Sequence, residues 1–559
     1  MIKKIKQFLA QAVISIGILT LVLSCGVSKS LKENLDVSQY RTQIPERVQL
    51  NDTTFTISDN FLRKNKQGLW ELYVSGNPLE LGLKTGSLTQ ELFNEQEDIF
   101  IKKIDELVPS KGYQKLLRKF LAWFNRKMYL NIDEQFKAEL LGVSKYASPH
   151  YDYVAKPYQR VMYFHGAHDI GHALQDLALV GCSSFAAWGN QTDDGKLVIG
   201  RNFDFYAGDD FAKNKIVAFV APDKGHAFMS VTWGGMIGVV SGMNDQGLSV
   251  TINAGKSQFP LIAKTPVSLV TREILQYAAT IEEAIAIAKK REVFVSESIF
   301  VGSAKDKKAA IIEVSPQNFG VYEVENSNQL ICANHFQSAA YMEDKKNQKH
   351  ILESHSQYRY ERMEELLKET SKVDPKAVVG ILRNKEGLDD KKIGYGNEKA
   401  LNQLLAHHGI VFKPEDLMVW VSSNPYQMGE FVAYDLKKIF KDKDSIEPTN
   451  TIATNNANIS ADPFLDTDTY KDYERYRALR NEIEAAINHE LAIEQAKLQQ
   501  LIALNPNFWE GYYLAGVYNY EKGYEALARS YFLAAEKKEI TTVPDRESVA
   551  RYIRKINRR

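Results

Sequence analysis

The sequence predicts an α+β fold, because strand-like runs come in blocks instead of alternating with helices. Apolar or alternating runs bounded by turn residues fill much of 180–253 and return at 298–333. Two helical segments separate these blocks, and the first follows the cap and first-turn pair Thr265-Pro266. Blocks arranged in this way are typical of packed antiparallel sheets and differ from the regular alternation of a βαβ fold.

The composition is that of a globular protein with several domains. The chain has 559 residues, of which 44% are hydrophobic and 25% charged, and its length suggests about three domains. The formal net charge is zero, so no bulk field recruits nucleic acid, and we expect no nucleic-acid partner. The three cysteines, Cys25, Cys182 and Cys332, are too few for a disulfide framework.

Residues 1–24 have the features of a secretory signal peptide. A lysine-rich start precedes an apolar run at 8–23 that is too short and too interrupted to favour a transmembrane helix. The ending Val22-Leu23-Ser24-Cys25 resembles a bacterial lipobox, which implies lipidation of Cys25 and a membrane anchor through that lipid. We expect a cell-envelope location, on the outer membrane and facing the periplasm. An ordinary signal peptide with a coincidental cysteine is the alternative.

The rest of the chain divides by composition and periodicity. Polar residues predict a tether near the N-terminus, helical periodicity follows between 79 and 147, and a second polar stretch predicts a linker after the strands. The predicted segments are a tether at 25–65, a helical N-terminal segment at 66–181, a core at 182–440, a linker at 441–465 and a helical region at 466–559.

The C-terminal helical region resembles a tetratricopeptide repeat. A long amphipathic run at 470–504 is followed by Ala528, Phe532 and Ala535, whose spacing is that of the second helix of such a repeat. One repeat cannot bury its own apolar face, so we expect the preceding helix and the last helix, at 546–556, to pack on it. The region is either a structural brace or a binding site for a protein partner.

The residues that indicate a catalytic site lie on a predicted hairpin around Cys182. Residues 179–188 and 197–204 predict two strands joined by a turn that contains Asp194-Gly195. In an antiparallel pair the start of the first strand lies beside the end of the second, so Cys182 is expected to meet Arg201 and Asp204. The alternative is that Cys182 is a small buried hydrophobic residue, as most unpaired cysteines are.

Gly181-Cys182, followed by Gly200-Arg201-Asn202-Phe203-Asp204, resembles the isopenicillin N acyltransferase (acyl-CoA:6-aminopenicillanate acyltransferase) branch of the N-terminal nucleophile (Ntn) hydrolases, and more distantly the choloylglycine hydrolases. The resemblance implies a four-layer αββα sandwich and self-cleavage between Gly181 and Cys182. It also implies that the N-terminal segment stays bound as a subunit, and Gly76 to Gly82 fits the start of that subunit.

The chemistry of a cysteine nucleophile gives a reason for the cut. An internal cysteine has no α-amine until the bond before it is broken. A free α-amino group titrates near pH 8, so the new N-terminus supplies a base on the nucleophile itself, and no histidine is required.

The resemblance implies roles for five further residues. Asp204 is expected to hydrogen-bond the α-amine of Cys182, and Arg201 to support its thiolate. Asn253 matches an asparagine that lines the oxyanion hole, Asn334 one near the scissile amide, and Arg359 an arginine beside the nucleophile. Strand-end asparagines are mostly turn formers, so these assignments depend on their order and spacing around Cys182.

The predicted function is that of an autoproteolytic hydrolase or acyltransferase acting on small linear amides, such as N-acyl amides or bile-salt-like conjugates, with an apolar acyl group and no cofactor. One alternative is a binding lipoprotein with an Ntn-like body that has lost catalysis. Another is a metal-dependent hydrolase using His168 and His172, which are four residues apart as zinc ligands on a helix would be. Asp169 stands where the metalloprotease motif has glutamate.

Overall fold

The computed structural model describes residues 24–173, 180–206, 208–258, 262–441 and 447–558, and their side chains except those at 24–25, 167–173 and 180. The apolar run of the predicted signal peptide and Leu179 therefore lie outside the described residues. In the described ranges, no helix combines the length and the apolar character that crossing a membrane requires.

The described strands form two sheets. Their bounds are Val48–Asn51 (β1), Thr54–Ile57 (β2), Asn60–Lys64 (β3), Trp70–Gly76 (β4), Val180–Ala187 (β5), Val198–Phe205 (β6), Ile216–Pro222 (β7), Phe228–Thr232 (β8), Ser241–Asn244 (β9), Leu248–Ala254 (β10), Glu297–Ser303 (β11), Lys308–Val314 (β12), Phe319–Tyr322 (β13), Gln329–Cys332 (β14), His408–Lys413 (β15), Met418–Ser422 (β16) and Phe431–Asp435 (β17). The larger sheet has eleven strands in the order β1-β2-β3-β4-β7-β8-β9-β10-β11-β12-β13. The smaller has six, in the order β14-β5-β6-β15-β16-β17.

The α-helices fall into three groups along the chain. Those before the β5 strand are Ser24–Leu31, Pro78–Leu88, Gln90–Leu107, Lys111–Phe124, Glu134–Ser144 and Pro157–Ala173. Those within the core are Val267–Tyr277, Ile281–Lys290, Lys345–Glu353, Ser356–Glu369, Pro375–Leu382 and Leu436–Lys441. Those of the C-terminal region are Asp468–Asn488, Gln495–Leu504, Trp509–Glu521, Glu525–Glu536 and Val543–Asn557.

The two sheets pack face to face between two helical layers, which confirms the predicted αββα sandwich. Side chains from both inner faces form one apolar cluster, including Ala186 and Ile199 of the smaller sheet and Val217 and Ile311 of the larger. Helices Pro78–Leu88, Glu134–Ser144, Val267–Tyr277 and Ile281–Lys290 cover the outer face of the larger sheet. Helices Ser356–Glu369 and Pro375–Leu382 cover the outer face of the smaller one.

The prediction of a tether at 25–65 is wrong for residues 48–64, which form three strands at one edge of the larger sheet. The next strand, β4, pairs in parallel with β7, with Trp70 opposite Ile216. The signal was weak because these strands are short and rich in polar residues; only Thr54-Phe55-Thr56-Ile57 alternates clearly. The N-terminal segment is therefore part of the sheet itself.

The described part of the predicted linker, residues 447–465, also packs on the core. Ile459 and Phe431 exchange backbone hydrogen bonds of 3.0 and 2.9 Å, and the indole N–H of Trp420 donates to the Ala457 carbonyl at 2.8 Å. Ile452, Ile459 and Phe464 also pack against apolar clusters, so the few large apolar residues of this segment, together with its hydrogen bonds, hold it to the folded body.

The C-terminal region contains the predicted helix pair, Trp509–Glu521 and Glu525–Glu536, joined by a turn in which Gly523 has φ +83°. The flanking helices pack on this pair as expected; the Tyr552 ring of the last helix stacks on Phe532 with centroids 4.8 Å apart. The run predicted at 470–504 is two helices instead of one, and Glu490, just after the first of them, has a left-handed φ of 59°.

Candidate active site

The pairing of β5 with β6 in the hairpin fixes the position of Cys182. Cys182 lies opposite Phe203, Ser184 opposite Arg201, and Gly181 opposite Asp204. Opposed residues of a strand pair share a face, and successive residues alternate between faces. Cys182 and Arg201 therefore face the space between the two sheets, whereas Gly181 and Asp204 face the helical layer outside the smaller sheet.

Arg201 is the charged group that meets the thiol. One guanidinium nitrogen lies 3.7 Å from Cys182 Sγ and donates to the Ile252 carbonyl at 2.6 Å, and another donates to Ser241 Oγ. The guanidinium also stacks 4.2 Å from the centroid of the Phe203 ring. Cys182 and Arg201 are both fully buried. The guanidinium therefore acts on the sulfur with little screening by solvent.

The thiol is not activated in the intact chain. Burial raises the pKa of Cys182 to about 11, although the charge of Arg201 opposes the shift. A thiol with this pKa is protonated at neutral pH and is a poor nucleophile until a base takes its proton.

Asn334 and Arg359 hold the backbone on both sides of Cys182. The Cys182 N–H donates to Asn334 Oδ1 at 2.8 Å, and Arg359 donates to the same oxygen at 2.6 Å. Arg359 also donates to the Cys182 carbonyl and, at 2.9 Å, to Ser183 Oγ. The structure thus places Asn334 at the nitrogen of the Gly181–Cys182 peptide bond.

Asp204 lies on the opposite face of the strand pair from the thiol, opposite Gly181. The prediction that Cys182 would meet both charged groups holds for Arg201 but not for the carboxylate, because strand alternation directs the thiol and Asp204 to opposite faces. Asp204 is fully buried, and within the described residues neither of its oxygens has a hydrogen-bond partner. Burial raises the pKa of Asp204 to about 7, against the lowering effect of Arg359 and Arg201.

Asn253 lies near the site but does not point at the thiol. Its amide nitrogen lies 3.1 Å from both the Cys332 and the Ala333 carbonyls, and its oxygen accepts from Ser184 Oγ at 2.9 Å. In the intact chain its amide nitrogen is therefore engaged by backbone carbonyls at the end of β14.

Three residues near the site were not predicted. Ser241 Oγ accepts from Arg201 and lies 2.9 Å from His408 Nε2, and His408 Nδ1 is 2.9 Å from His407 Nδ1. Burial lowers the pKa of both imidazoles well below the usual value, so they are neutral. The only signal in the sequence is the adjacent histidine pair, since β15 itself was not predicted.

Gln403 lies against the residue before the scissile bond. A Cβ built on Gly181 would come within 2.7 Å of Gln403 Nε2. A side chain at position 181 would therefore displace the Gln403 amide.

The alternative metal site is not described. His168 and His172 fall within helix Pro157–Ala173, but their side chains lie outside the described residues, as does the side chain of Cys25. Within the part of the chain whose side chains are described, no cluster of three or more His, Cys, Asp or Glu residues is arranged to hold a metal ion.

Comparison with known proteins gives several similarities. A protein of Archaeoglobus fulgidus described as uncharacterized is 26% identical over 277 residues, which cover 45% of this chain and 45% of that relative. An N-acylethanolamine-hydrolyzing acid amidase ortholog of Caenorhabditis elegans is 20% identical, with a TM-score of 0.31, over 42% of this chain and 93% of that one. A conjugated bile acid hydrolase of Clostridium perfringens is 14% identical, with a TM-score of 0.31, over 47% of this chain and 95% of that one.

The family comparison covers most of the candidate site, but Gly181 and Cys182 precede the matched segment. Residues 190–424 match the model of the acyl-coenzyme A:6-aminopenicillanic acid acyl-transferase family. This segment contains Arg201, Asp204, Asn253, Asn334 and Arg359. Through residues 190–424 the chain is thus similar to that acyltransferase family, which confirms the resemblance predicted from the hairpin motifs.

Proposed function

We propose that the chain is a self-cleaving N-terminal cysteine hydrolase or acyltransferase of small linear amides. The observation that carries the proposal is the buried Asp204 carboxylate, which lacks a hydrogen-bond partner among the described residues and lies opposite Gly181. A buried carboxylate without a partner is costly. Cleavage before Cys182 creates an α-ammonium beside it, and this cation supplies the missing partner.

The proposed cleavage uses the groups already at the bond. The Cys182 sulfur attacks the Gly181 carbonyl carbon; a C–S bond forms, the C–N bond breaks, and the thiol proton passes to the departing nitrogen. Water then hydrolyses the thioester, which leaves a Gly181 carboxylate and a free thiol. Asn334 orients the departing nitrogen through the 2.8 Å bond, and Arg359 fixes the Cys182 carbonyl.

Turnover repeats this chemistry on a substrate. The α-amine, which titrates near pH 8, takes the thiol proton, and the sulfur attacks the substrate carbonyl beside Arg201. The α-ammonium then gives its proton to the leaving amine, and water or a second amine takes the acyl group from the thioester. Asn253 becomes an oxyanion donor by exchanging one of its backbone bonds; one such donor contributes about 100- to 1000-fold to turnover.

A panel of N-acyl amides followed by mass spectrometry tests the activity. Wild type should release free amine, and Cys182→Ala should not. Cys332→Ala, which alters the other free buried cysteine, is the matched control and should stay active. Alkylation should inactivate the enzyme, whereas a chelator should leave activity intact. Chelator-sensitive activity that survives Cys182→Ala would contradict the proposal and favour His168 and His172.

We also propose that a lipid on Cys25 anchors the protein in the cell envelope, on the outer membrane. The lipobox-like ending of the apolar run supports this. Fractionation of cells should recover wild type with membranes and lose Cys25→Ala from them. Equal recovery of both forms in the cytosol would contradict the anchor.

A further inference from the structure

A cavity of about 260 Å³ lies between the end of β6 and the C-terminal helical region. Its walls include Phe205 and Tyr426 of the core and Tyr470 and Arg477 of helix Asp468–Asn488. Phe205 directly follows Asp204 in the sequence. The helical region thus borders a cavity that begins one residue from the candidate active site.

The pairing of β5 with β6 relates the position of this cavity to that of Cys182. Val180 lies opposite Phe205, and Cys182 lies opposite Phe203. Residues two apart on a strand share a face and are separated by about 7 Å. The backbone on the amino side of the scissile bond therefore runs from beside the cavity wall to Cys182.

The two reactions of the proposed function pass through the same type of covalent intermediate, a thioester on Cys182. In self-cleavage the Cys182 sulfur carries the Gly181 carbonyl as a thioester, and in turnover it carries the substrate acyl carbon in the same way. The chain attached to the carbonyl is Val180-Gly181 in the first reaction and the substrate acyl chain in the second. The acyl chain of a substrate is therefore expected to follow the path of Val180-Gly181 toward the cavity.

We propose that this cavity is the acyl-binding pocket and that helix Asp468–Asn488 supplies one of its walls. The inference rests on the proposed function and deepens it. Arg477 fixes this wall to the core: its guanidinium donates to Asp209 at 2.5 Å and also bonds the Tyr426 hydroxyl. The C-terminal region would then take part in substrate selection, beyond the brace or partner-binding roles that its repeat-like sequence predicts.

The volume and lining of the cavity indicate the acyl group. A volume of about 260 Å³ lies near the lower end of the range of about 300–1,000 Å³ that is usual for small-ligand sites, so it suits a short or medium-length acyl group better than a long one. Phe205, Tyr426 and Tyr470 offer aromatic surface to an apolar body. The charged side chains of the lining are the acidic Asp209 and Glu474 and the basic Lys213 and Arg477, so the wall has no formal net charge and does not favour an anionic substrate. We therefore take octanoyl, a medium-length acyl group, as the probe of this pocket.

Filling the cavity tests the assignment. Ala212 lines it, and Ala212→Trp should lower kcat/KM for an N-octanoyl amide at least about tenfold while changing that for the N-acetyl amide of the same amine less than about twofold. Arg477→Ala should lower the octanoyl-to-acetyl ratio in the same direction. The matched control is Arg475→Ala on the same helix, where an exposed arginine pairs with Asp472. The amount of cleaved protein reports whether each variant folds.

The outcomes separate this inference from the proposed function. An unchanged octanoyl-to-acetyl ratio in Ala212→Trp, or an equal loss on both substrates, would overturn the acyl pocket while leaving the cysteine chemistry standing. If Ala212→Trp does not fold, the octanoyl-to-acetyl ratio of Arg477→Ala decides: an unchanged ratio, or an equal loss on both substrates, would overturn the acyl pocket. A wild-type protein that turns over no amide would overturn the proposed function, and the pocket assignment with it.

Discussion

Cys182 and Asp204 lie in adjacent registers of one strand pair but on opposite faces, and this separation gives them different tasks. In the proposed mechanism, Arg201, which faces the thiol, stabilises a developing thiolate. The carboxylate lies opposite Gly181, where the new α-ammonium would form. In that mechanism the nucleophile and the amine-binding carboxylate act from the two faces of the same strand pair.

The raised pKa of Asp204 predicts a pH dependence for the intact chain. Its pKa is about 7 in the folded state and near 3.9 for an ordinary carboxyl, so the folded chain binds this proton more tightly. The resulting stability is fully present below about pH 4 and is lost as the pH rises through about 7. In the uncleavable Cys182→Ala background, Asp204→Asn should therefore raise the free energy of unfolding at pH 8 by at least about 1 kcal/mol.

Urea unfolding at pH 5 and pH 8 measures this effect. The Asp204→Asn protein should lose less stability between the two pH values than its parent. A parent and a variant with the same pH dependence would show that Asp204 is not the titrating group.

We propose that Ser241 positions Arg201. Its hydroxyl accepts from the guanidinium and contacts His408, so Ser241→Ala removes one of the two hydrogen bonds that hold the guanidinium beside the sulfur, the other being that to the Ile252 carbonyl. A hydrogen bond to a charged group contributes about 1.5–3 kcal/mol, so we expect a drop in kcat of about tenfold or more. The thiolate would also be less stabilised, which should raise the pKa seen in the pH dependence of alkylation.

A matched serine provides the control for this prediction. Ser249 is buried on β10, where its hydroxyl lies 3.4 Å from the Gly302 carbonyl. Ser249→Ala should leave the alkylation pKa unchanged. An unchanged pKa in Ser241→Ala as well would exclude the positioning role.

At the scale of elements, the sequence predicts best where the signal is local. The β5–β6 hairpin was predictable because both apolar strands and their Asp-Gly turn fall within about thirty residues. The meeting of Asn334 with the Cys182 amide joins residues 152 apart in the chain, and only the family resemblance pointed to it. Strand alternation, which separates Asp204 from the thiol, follows from the register once that is known.

The missed elements share a physical cause. The strands at 48–64 and the segment at 447–465 are short or irregular, and their large apolar residues, such as Phe55, Leu62 and Ile459, are few and set among polar ones, so no clear periodicity marks them in the sequence. Both segments also pair with their neighbours through backbone hydrogen bonds. Backbone hydrogen bonds depend weakly on side-chain identity and leave little trace in the sequence.

The position of β4 in the larger sheet predicts how the cleaved fragments behave. Seven residues of β4 pair in parallel with β7, which lies after the cleavage site, so the backbone ladder ties the two fragments together. Size-exclusion chromatography should recover both fragments in one peak under native conditions and separate them in guanidinium chloride. Loss of the N-terminal fragment without denaturant would contradict this.

At the scale of the whole molecule, three parts of the chain converge on one site. The N-terminal segment completes the larger sheet, the αββα core carries Cys182 and its partners, and the C-terminal helices border the cavity beyond Asp204. The overall sandwich was predictable from strand blocks and family resemblance. The packing of the C-terminal helices near the candidate site was not predictable, because it depends on contacts between residues far apart in the sequence, such as that of Arg477 with Asp209.

The central claim is that Cys182 becomes an N-terminal residue. Intact-mass analysis of the purified protein under denaturing conditions, compared with Cys182→Ala, tests it most directly. Two fragments that meet between Gly181 and Cys182 in the wild type, and one uncut chain in Cys182→Ala, are the predicted result. A wild-type protein that remains a single chain while hydrolysing amides would contradict the account.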